Sequence, residues 1–241
     1  MYFESPNSDK ILSHEEIIKG IDYYNDKYDI NMEYKKSHAG FKAAARDLSK
    51  SGDIGTEDRP KGSFLDGVYH SMPAVSWKGE DGKNNVVLMD SLGVRPNEYL
   101  KEVAKNNPDT NFYYNPFKRQ KDSHSCKHDT ALVLKNILRV KNLTQELTKG
   151  AKRHSDVSNL FQLDNTVLLN ITAQTTSFFD GFEDEKQLPW SEKVKTVGDF
   201  KKKYFDEVTS SDGTVKHGNA YLEKKAEKIR QGKFDTGERE R

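Results

Sequence analysis

The sequence predicts an α+β fold from three observations. Segments rich in β-branched and aromatic residues fill the central third of the chain, an apolar helical pattern follows them, and charged helical segments occur towards both ends. The 241 residues suffice for one sizeable core, whereas 34% hydrophobic and 32% charged residues describe a very polar chain. We therefore expect one core with polar arms.

The N-terminal segment predicts two helices around a short extended stretch. Residues 11–28 have the apolar spacing of an amphipathic helix, with Ser13 as its N-cap and Glu16 as the capping-box partner. Residues 29–34 are predicted to be extended, and residues 38–50 show a second helical pattern.

The central third predicts strands. Residues 51–62 contain three glycines and one proline and are predicted to form a loop. Residues 67–77 and 84–92 then read as two strands of a hairpin around the turn GEDGKN. Residues 111–117 predict a third, aromatic strand, and residues 96–106 predict a short helix between the strands.

The last helix of the expected core covers residues 127–139 and follows a polar loop. Its apolar residues recur at helical spacing: Ala131, Leu134, Ile137 and Leu138. Residues 140–180 are polar and mixed, with leucines able to pack. Residues 219–231 predict a surface helix, and residues 232–241 predict a frayed tail.

Charge and cysteine content exclude several classes of protein. The 39 basic and 38 acidic residues nearly cancel, which argues against a dedicated nucleic-acid binder. The single cysteine excludes an internal disulfide and a cysteine-cluster metal site. No window approaches the run of about 18 apolar residues that spans a bilayer. The start of the chain lacks a secretory-signal pattern, so export would need another route.

Four residues form the candidate catalytic set: His70, Asp90, Gln120 and Cys126. Cys126 starts a helical pattern, where the helix dipole favours a thiolate. His70 and Asp90 lie nearly opposite each other in the predicted hairpin, so the carboxylate can orient the imidazole. Gln120 lies six residues before Cys126 and could donate to an oxyanion together with the Cys126 backbone N–H.

His70, Cys126 and Asp90 each have a purely structural interpretation as well. A lone histidine in a strand is more often packed than catalytic, a cysteine often acts as a small hydrophobe, and a strand-end aspartate can form a turn. His124 and His128 flank Cys126, but they lack a second anchoring segment at ligand spacing, and no metal site is expected.

The order of His70, Asp90, Gln120 and Cys126 resembles the papain-like cysteine enzymes that include the ubiquitin-like-protein proteases and the YopJ effectors. The similarity to the YopJ branch extends over most of the chain. The segments that carry it are residues 21–53, 108–137, 168–179, 196–208 and 221–231.

The resemblance implies a papain-like core, with a mixed sheet and a Cys-bearing helix, and a helical regulatory lobe made by both chain ends. Residues 1–60 and 181–241 would supply this lobe, and residues 61–180 would form the catalytic core. It also implies an effector acetyltransferase that moves acetyl from acetyl-CoA through a Cys126 thioester to Ser, Thr or Lys of host proteins.

The YopJ resemblance further implies activation by inositol hexakisphosphate and delivery into host cytoplasm by a specialised bacterial secretion system. A polyanion needs clustered basic residues, and a patch resembling the family's Thr-Gln segment lies nearby. The candidate ligand-binding residues are Lys152, Arg153, His154, Gln174, Lys202, Lys216 and His217.

Two alternatives stay open. The same residues could serve a cysteine isopeptidase that removes ubiquitin or a ubiquitin-like modifier, or the chain could be a catalytically silent binding module. Three positions depart from the families' patterns. Ser71 stands where the proteases tend to have Trp, Lys127 where both branches often have Gly, and Thr172 where the YopJ branch commonly has His.

Overall fold

The structure is a computed structural model. It describes residues 12–37, 40–50, 52, 54–93, 98–116, 126–164, 183–185, 187, 195–204, 207–209 and 215–217. None of the helices within these ranges combines the length and the apolar character that crossing a membrane demands.

One mixed sheet of eight strands organises the described residues. Its strands are β1 (Asn31–Lys36), β2 (Gly55–Thr56), β3 (Lys61–Asp66), β4 (Ser71–Lys78), β5 (Asn84–Leu88), β6 (Thr110–Tyr114), β7 (Ala151–His154) and β8 (Val157–Leu163). The strand order is β1-β3-β4-β5-β6-β8-β7, and β2 pairs with β4 beside this path. The pairs β1–β3, β5–β6 and β6–β8 are parallel, whereas β3–β4, β4–β5 and β7–β8 are antiparallel.

Six helices accompany the sheet in the described part of the chain. They are α1 (His14–Tyr28), α2 (Gly40–Lys50), α3 (Glu98–Lys105), α4 (Cys126–Ile137), α5 (Leu143–Lys149) and α6 (Val197–Tyr204). A two-stranded hairpin of β9 (Glu207–Thr209) and β10 (Val215–His217) follows α6.

The sheet is covered on both faces. Apolar residues of α1, α4 and α5 share one core cluster with the Phe64 and Trp77 face of the sheet. Residues of α2 and α3 share a second cluster with the Leu65 and Met72 face. Because both faces are covered, β4 is buried at every position except its last residue.

Helix α4 lies directly on strands β3 and β4. A side chain at Gly62 of β3 would place its Cβ 2.6 Å from Leu138 Cδ1 and 3.2 Å from Leu134 Cδ2. Because Gly62 has no side chain, the C-terminal half of α4 can approach the sheet closely. This packing fixes the direction of the α4 axis.

The structure confirms most of the predicted elements. Ser13 caps α1, and both bonds of the capping box with Glu16 are present. The predicted hairpin is the antiparallel pair β4–β5, and the third predicted strand is β6. The helix predicted over residues 127–139 is α4.

Three expectations need correction. The loop predicted over residues 51–62 contains β2 and the start of β3, a strand whose short Phe64–Leu65 apolar pair is buried by its neighbours. His70 lies in the turn before β4 and not inside a strand. Part of the polar stretch 140–180 forms α5 and the β7–β8 hairpin.

The division of the chain at residues 60 and 180 stays a prediction, as does the regulatory lobe. Among the described N-terminal elements, β1 extends the main sheet through β3, and α1 packs into the core beside α4. The surface helix predicted over residues 219–231 and the tail after it lie outside the described residues.

Candidate active site

Cys126 is the first residue of α4, and its side chain is largely buried. Free backbone N–H groups and the positive end of the helix dipole meet at this end of the helix. Since α4 packs on β3 and β4, its first turn lies near the end of the sheet where the β3–β4 turn emerges. The fold thus positions a sulfur where negative charge is favoured.

His70 is held by the tight turn that joins β3 to β4. The Gly67 N–H donates to the His70 carbonyl at 2.9 Å, and a Cβ at Gly67 would lie 3.0 Å from that oxygen. The Phe41 ring meets the imidazole edge-on, with 6.0 Å between the ring centroids. The turn and the aromatic contact restrict the ring to one orientation.

Asp90 follows β5 and completes the group. Its Oδ1 lies 2.8 Å from His70 Nε2 and also accepts a bond from the Leu92 N–H at 2.8 Å. The Asp90 carbonyl accepts from Asn115 Nδ2 at 2.8 Å and from the Gly93 N–H at 3.1 Å. The carboxylate is therefore fixed by a turn of its own backbone and by the neighbouring strand end.

The electrostatics of the site centre on the His70 imidazole. Burial lowers the pKa of His70, but hydrogen bonds to Asp90 and Cys126, together with the charges of both groups, outweigh burial and raise it from 6.5 to about 9. The imidazole is therefore charged at neutral pH. Because Nε2 faces Asp90, Nδ1 is the ring nitrogen left for Cys126.

This arrangement has the parts of an acyl-transfer site. A charged imidazole beside a thiol favours the nucleophilic thiolate, and a carboxylate on the far ring nitrogen keeps the imidazole oriented. The structure brings His70, Asp90 and Cys126 together as the sequence predicts. Gln120, the candidate oxyanion donor, lies outside the described residues.

The candidate ligand-binding residues that the structure describes lie on three elements: β7, α6 and β10. Lys152 and Arg153 are exposed on the edge strand β7, and His154 is half-buried, with Nδ1 accepting from the Asp156 N–H at 3.1 Å. Lys202 is exposed on α6, and Lys216 and His217 belong to β10. Gln174 lies outside the described residues.

Two further polar residues of the site were missed by the sequence analysis. Asn115 follows β6 and holds the Asp90 carbonyl, and Asp66 ends β3, where its carboxylate accepts from Ser71 Oγ at 2.6 Å. The carboxyl ends of the parallel neighbours β5 and β6 lie at one edge, and this rule could have paired Asn115 with Asp90. Asp66 carried no such signal, because β3 itself was not predicted.

Among the described residues, no group of three or more histidine, cysteine or carboxylate side chains could hold a metal ion.

One comparison with a solved structure supports the fold assignment. No family model matches the chain, and no curated protein matches it. A solved structure of AvrA, a YopJ family effector, described as AvrA delL154 with IP6 and CoA, matches with a TM-score of 0.53 at 13% identity, covering 90% of this chain and 86% of that one. A de-sumoylating protease matches with a TM-score of 0.39 at 10% identity over 60% of this chain and 69% of its own.

The chain therefore shares the fold of a YopJ family effector. This confirms the predicted α+β fold class, with a mixed sheet and a Cys-bearing helix.

Proposed function

We propose that the chain is an effector acetyltransferase that moves acetyl from acetyl-CoA, through a thioester on Cys126, to a Ser, Thr or Lys side chain of a host protein. One observation carries the proposal: the buried group of His70, Asp90 and Cys126 at the start of α4. The shared fold with AvrA, whose structure holds CoA and IP6, supports the choice of CoA as acyl carrier and of the activator.

In the first half-reaction, the Cys126 thiolate attacks the thioester carbonyl of acetyl-CoA. The new bond joins Sγ to the acetyl carbon, the bond from that carbon to the CoA sulfur breaks, and the His70 imidazolium gives its proton to the leaving thiolate. The products are acetyl-Cys126, the CoA thiol and a neutral His70. Gln120 and the Cys126 backbone N–H are the proposed donors to the oxyanion.

In the second half-reaction, His70 acts as a base. Its neutral imidazole takes the proton of the acceptor hydroxyl or amine as that group attacks the acetyl carbon, and the Cys126 thiolate leaves. Asp90 holds the imidazole with its free nitrogen towards the sulfur in both steps. The enzyme returns to its starting charge state.

Inositol hexakisphosphate is the proposed activator. Its phosphates would bind basic side chains by charge-assisted hydrogen bonds, and Lys152, Arg153 and Lys202 are exposed as such a site requires. Lys216, His217, His154 and Gln174 complete the proposed set. We propose that binding there stabilises a regulatory lobe built from residues 1–60 and 181–241, in which α1 and β1 already pack against the core.

The proposed setting is a host cell. The resemblance to YopJ effectors suggests a protein delivered by a specialised bacterial secretion system into host cytoplasm, where a host protein supplies the acceptor side chain.

The test incubates the purified full chain with acetyl-CoA, with and without inositol hexakisphosphate, and reads its intact mass. We expect acetyl groups to accumulate on the wild type, faster with the polyphosphate, and not on Cys126→Ala. His70→Ala should behave nearly like Cys126→Ala, and Asp90→Ala should retain more activity. A Cys126→Ala variant that acetylates at the wild-type rate would contradict the proposal.

The two alternative functions, an isopeptidase and a binding module, are tested with the same protein preparation. A ubiquitin-like probe with a C-terminal electrophile that labels Cys126, while acetyl-CoA gives no product, would favour the isopeptidase. No turnover with either reagent would favour a binding module.

A further inference from the structure

The Asp66 cluster, made of Asp66, Tyr34, Ser71 and Lys127, lies beside the candidate site. Asp66 Oδ1 accepts from Ser71 Oγ at 2.6 Å, and Oδ2 accepts from the Tyr34 hydroxyl at 2.6 Å. Lys127 Nζ lies 3.9 Å from the same Oδ2. The Asp66 side chain is only 14% exposed, so these contacts form in a largely dry environment.

Two members of this cluster are sequence neighbours of the catalytic residues. Ser71 directly follows His70, and Lys127 directly follows Cys126. One carboxylate therefore contacts the residue after the proposed base and the residue after the proposed nucleophile. The same two positions depart from the pattern of the resembling families, so in this chain the two unusual residues share one partner.

Lys127 is held from two sides. Its ammonium group donates to the Leu12 carbonyl at 3.3 Å and pairs with Asp66. Leu12 precedes α1, and Asp66 ends β3, so the first turn of α4 is tied to two other elements. A rotation of that turn would displace Cys126 and Lys127 together.

Ser71 holds the other side of the site. It is the first residue of β4, is 1% exposed and pairs with Asp66 in the β3–β4 register. Its hydroxyl bond fixes the point at which the turn carrying His70 enters the sheet. A shift at this point would move the imidazole relative to the sulfur.

We propose that Asp66 is a positioning residue, which sets the distance between His70 and Cys126 by holding Ser71 and Lys127 at the same time. The inference rests on the proposed function for its catalytic consequence. The proposed placement of His70 relative to Cys126 is tested separately through the reactivity of the Cys126 thiol, which is measured without acetyl-CoA.

The chain offers a matched control in the Glu33 cluster, made of Glu33, Ser63 and Lys61. Ser63 Oγ donates to Glu33 Oε1 at 2.8 Å, and Lys61 Nζ lies 3.2 Å from Glu33 Oε2. It repeats the carboxylate, serine and lysine of the Asp66 cluster at a different place in the sheet, with Glu33 on β1 and with Ser63 and Lys61 on β3. None of its members is adjacent in sequence to His70, Asp90 or Cys126.

The experiment measures the alkylation rate of the full chain by iodoacetamide. Cys126 is the only cysteine, so the label reports on this thiol alone. The variants are Asp66→Asn, Ser71→Ala and Lys127→Met, with Lys127→Arg as the charge-conserving rescue. Glu33→Gln and Ser63→Ala are the controls, and thermal unfolding reports the stability of each variant.

We expect the three Asp66-cluster variants to alkylate about tenfold more slowly than the wild type near pH 7, because a small displacement separates the imidazole from the sulfur. Near pH 10, where free thiols ionise, their rates should approach that of the wild type. Lys127→Arg should recover most of the rate. The control variants should lose stability and keep the rate.

Equal rates near pH 7 in the wild type and Ser71→Ala or Lys127→Met would overturn the inference, as would equal losses in the control variants. If Asp66→Asn does not fold, Ser71→Ala and Lys127→Met still decide the matter. A chain that shows these alkylation effects but transfers no acetyl group would refute the proposed function and keep the positioning role.

Discussion

At the scale of single residues, the His70 imidazole links the chemistry of the site to the stability of the protein. Asp90 accepts its Nε2–H, and the contact with Cys126 places a thiol at the other side of the ring. Both contacts favour the charged imidazole in the folded state, where its pKa is about 9 in place of 6.5. Folding is therefore coupled to proton binding at this residue.

The coupling predicts how stability depends on pH. The raised pKa means that the contribution of His70 is fully present below pH 6.5 and is lost as the pH rises through about 9. We expect the wild type to lose on the order of 3 kcal/mol relative to His70→Gln over this interval. Urea unfolding of both proteins across the interval measures the difference. A difference that stays constant with pH would show that His70 does not bind the extra proton.

The residue scale also shows what the sequence could predict of the site. The sequence predicts His70, Asp90 and Cys126 because their types and order are those of a base, an orienting carboxylate and a nucleophile. Asn115 bonds to the Asp90 backbone carbonyl, and Asp66 contacts Tyr34 and Lys127 besides its near neighbour Ser71. Asp90, Tyr34 and Lys127 are all distant in sequence from the residues they contact. Such roles depend on which strand ends lie together, which local patterns do not encode.

At the scale of elements, the end of a helix, the turn after it and the start of a strand meet through a single side chain. Asn159 on β8 donates from Nδ2 to the carbonyls of Ala104, Asn107 and Thr110, at 2.8 to 2.9 Å. These carbonyls belong to the end of α3, the following turn and the start of β6. The amide thus joins the helix–strand connection to the next strand of the sheet.

Removal of this amide tests the junction. Asn159→Ala removes the side-chain donor from all three carbonyls, although those of Ala104 and Asn107 still accept from the N–H groups of Asn107 and Thr110. We expect a loss of about 2 kcal/mol in the free energy of unfolding. Ser158→Ala, at the exposed neighbouring position on β8, should change stability by less than about 0.5 kcal/mol. Urea unfolding compares the two variants. A loss at Asn159 no larger than the loss at Ser158 would show that the junction does not depend on this side chain.

The elements that the sequence predicts carry a recognisable pattern in their own residues, whereas the missed elements depend on contacts with distant segments. The β4–β5 hairpin was predicted from its β-branched residues and its glycine turn, and α1 from its capping box. Strand β3 has only two consecutive apolar residues, and its burial comes from β1, β4 and α4, which lie elsewhere in the chain. The β7–β8 hairpin has charged residues on its edge strand and gave no alternating pattern.

At the scale of the whole molecule, the chain has nearly equal numbers of acidic and basic residues and combines a packed core with polar segments. The sequence predicts this combination, and the structure places the buried apolar residues on the two covered faces of the sheet. The proposed polyphosphate site combines residues that are far apart in sequence. The proposed regulation therefore makes a prediction about the full chain.

Inositol hexakisphosphate should raise the thermal midpoint of the full chain, because a ligand that binds only the folded state stabilises it by about 2.7 kcal/mol at one hundred times its dissociation constant. Unphosphorylated inositol should give no shift. Replacement of Lys152 and Arg153 by Gln should reduce the shift, whereas Lys78→Gln, at the exposed end of β4, should not. Equal shifts in all three proteins would exclude Lys152 and Arg153 from the site.

The most direct test of the account locates the acyl group itself. The full chain is mixed with acetyl-CoA, quenched in acid at early times and digested, and the peptide containing residue 126 is analysed by mass spectrometry. The account predicts an acetyl thioester on Cys126 that forms before any other modified residue and is removed by hydroxylamine. Acetylated lysine, serine or threonine that accumulates without a preceding thioester on Cys126 would contradict it.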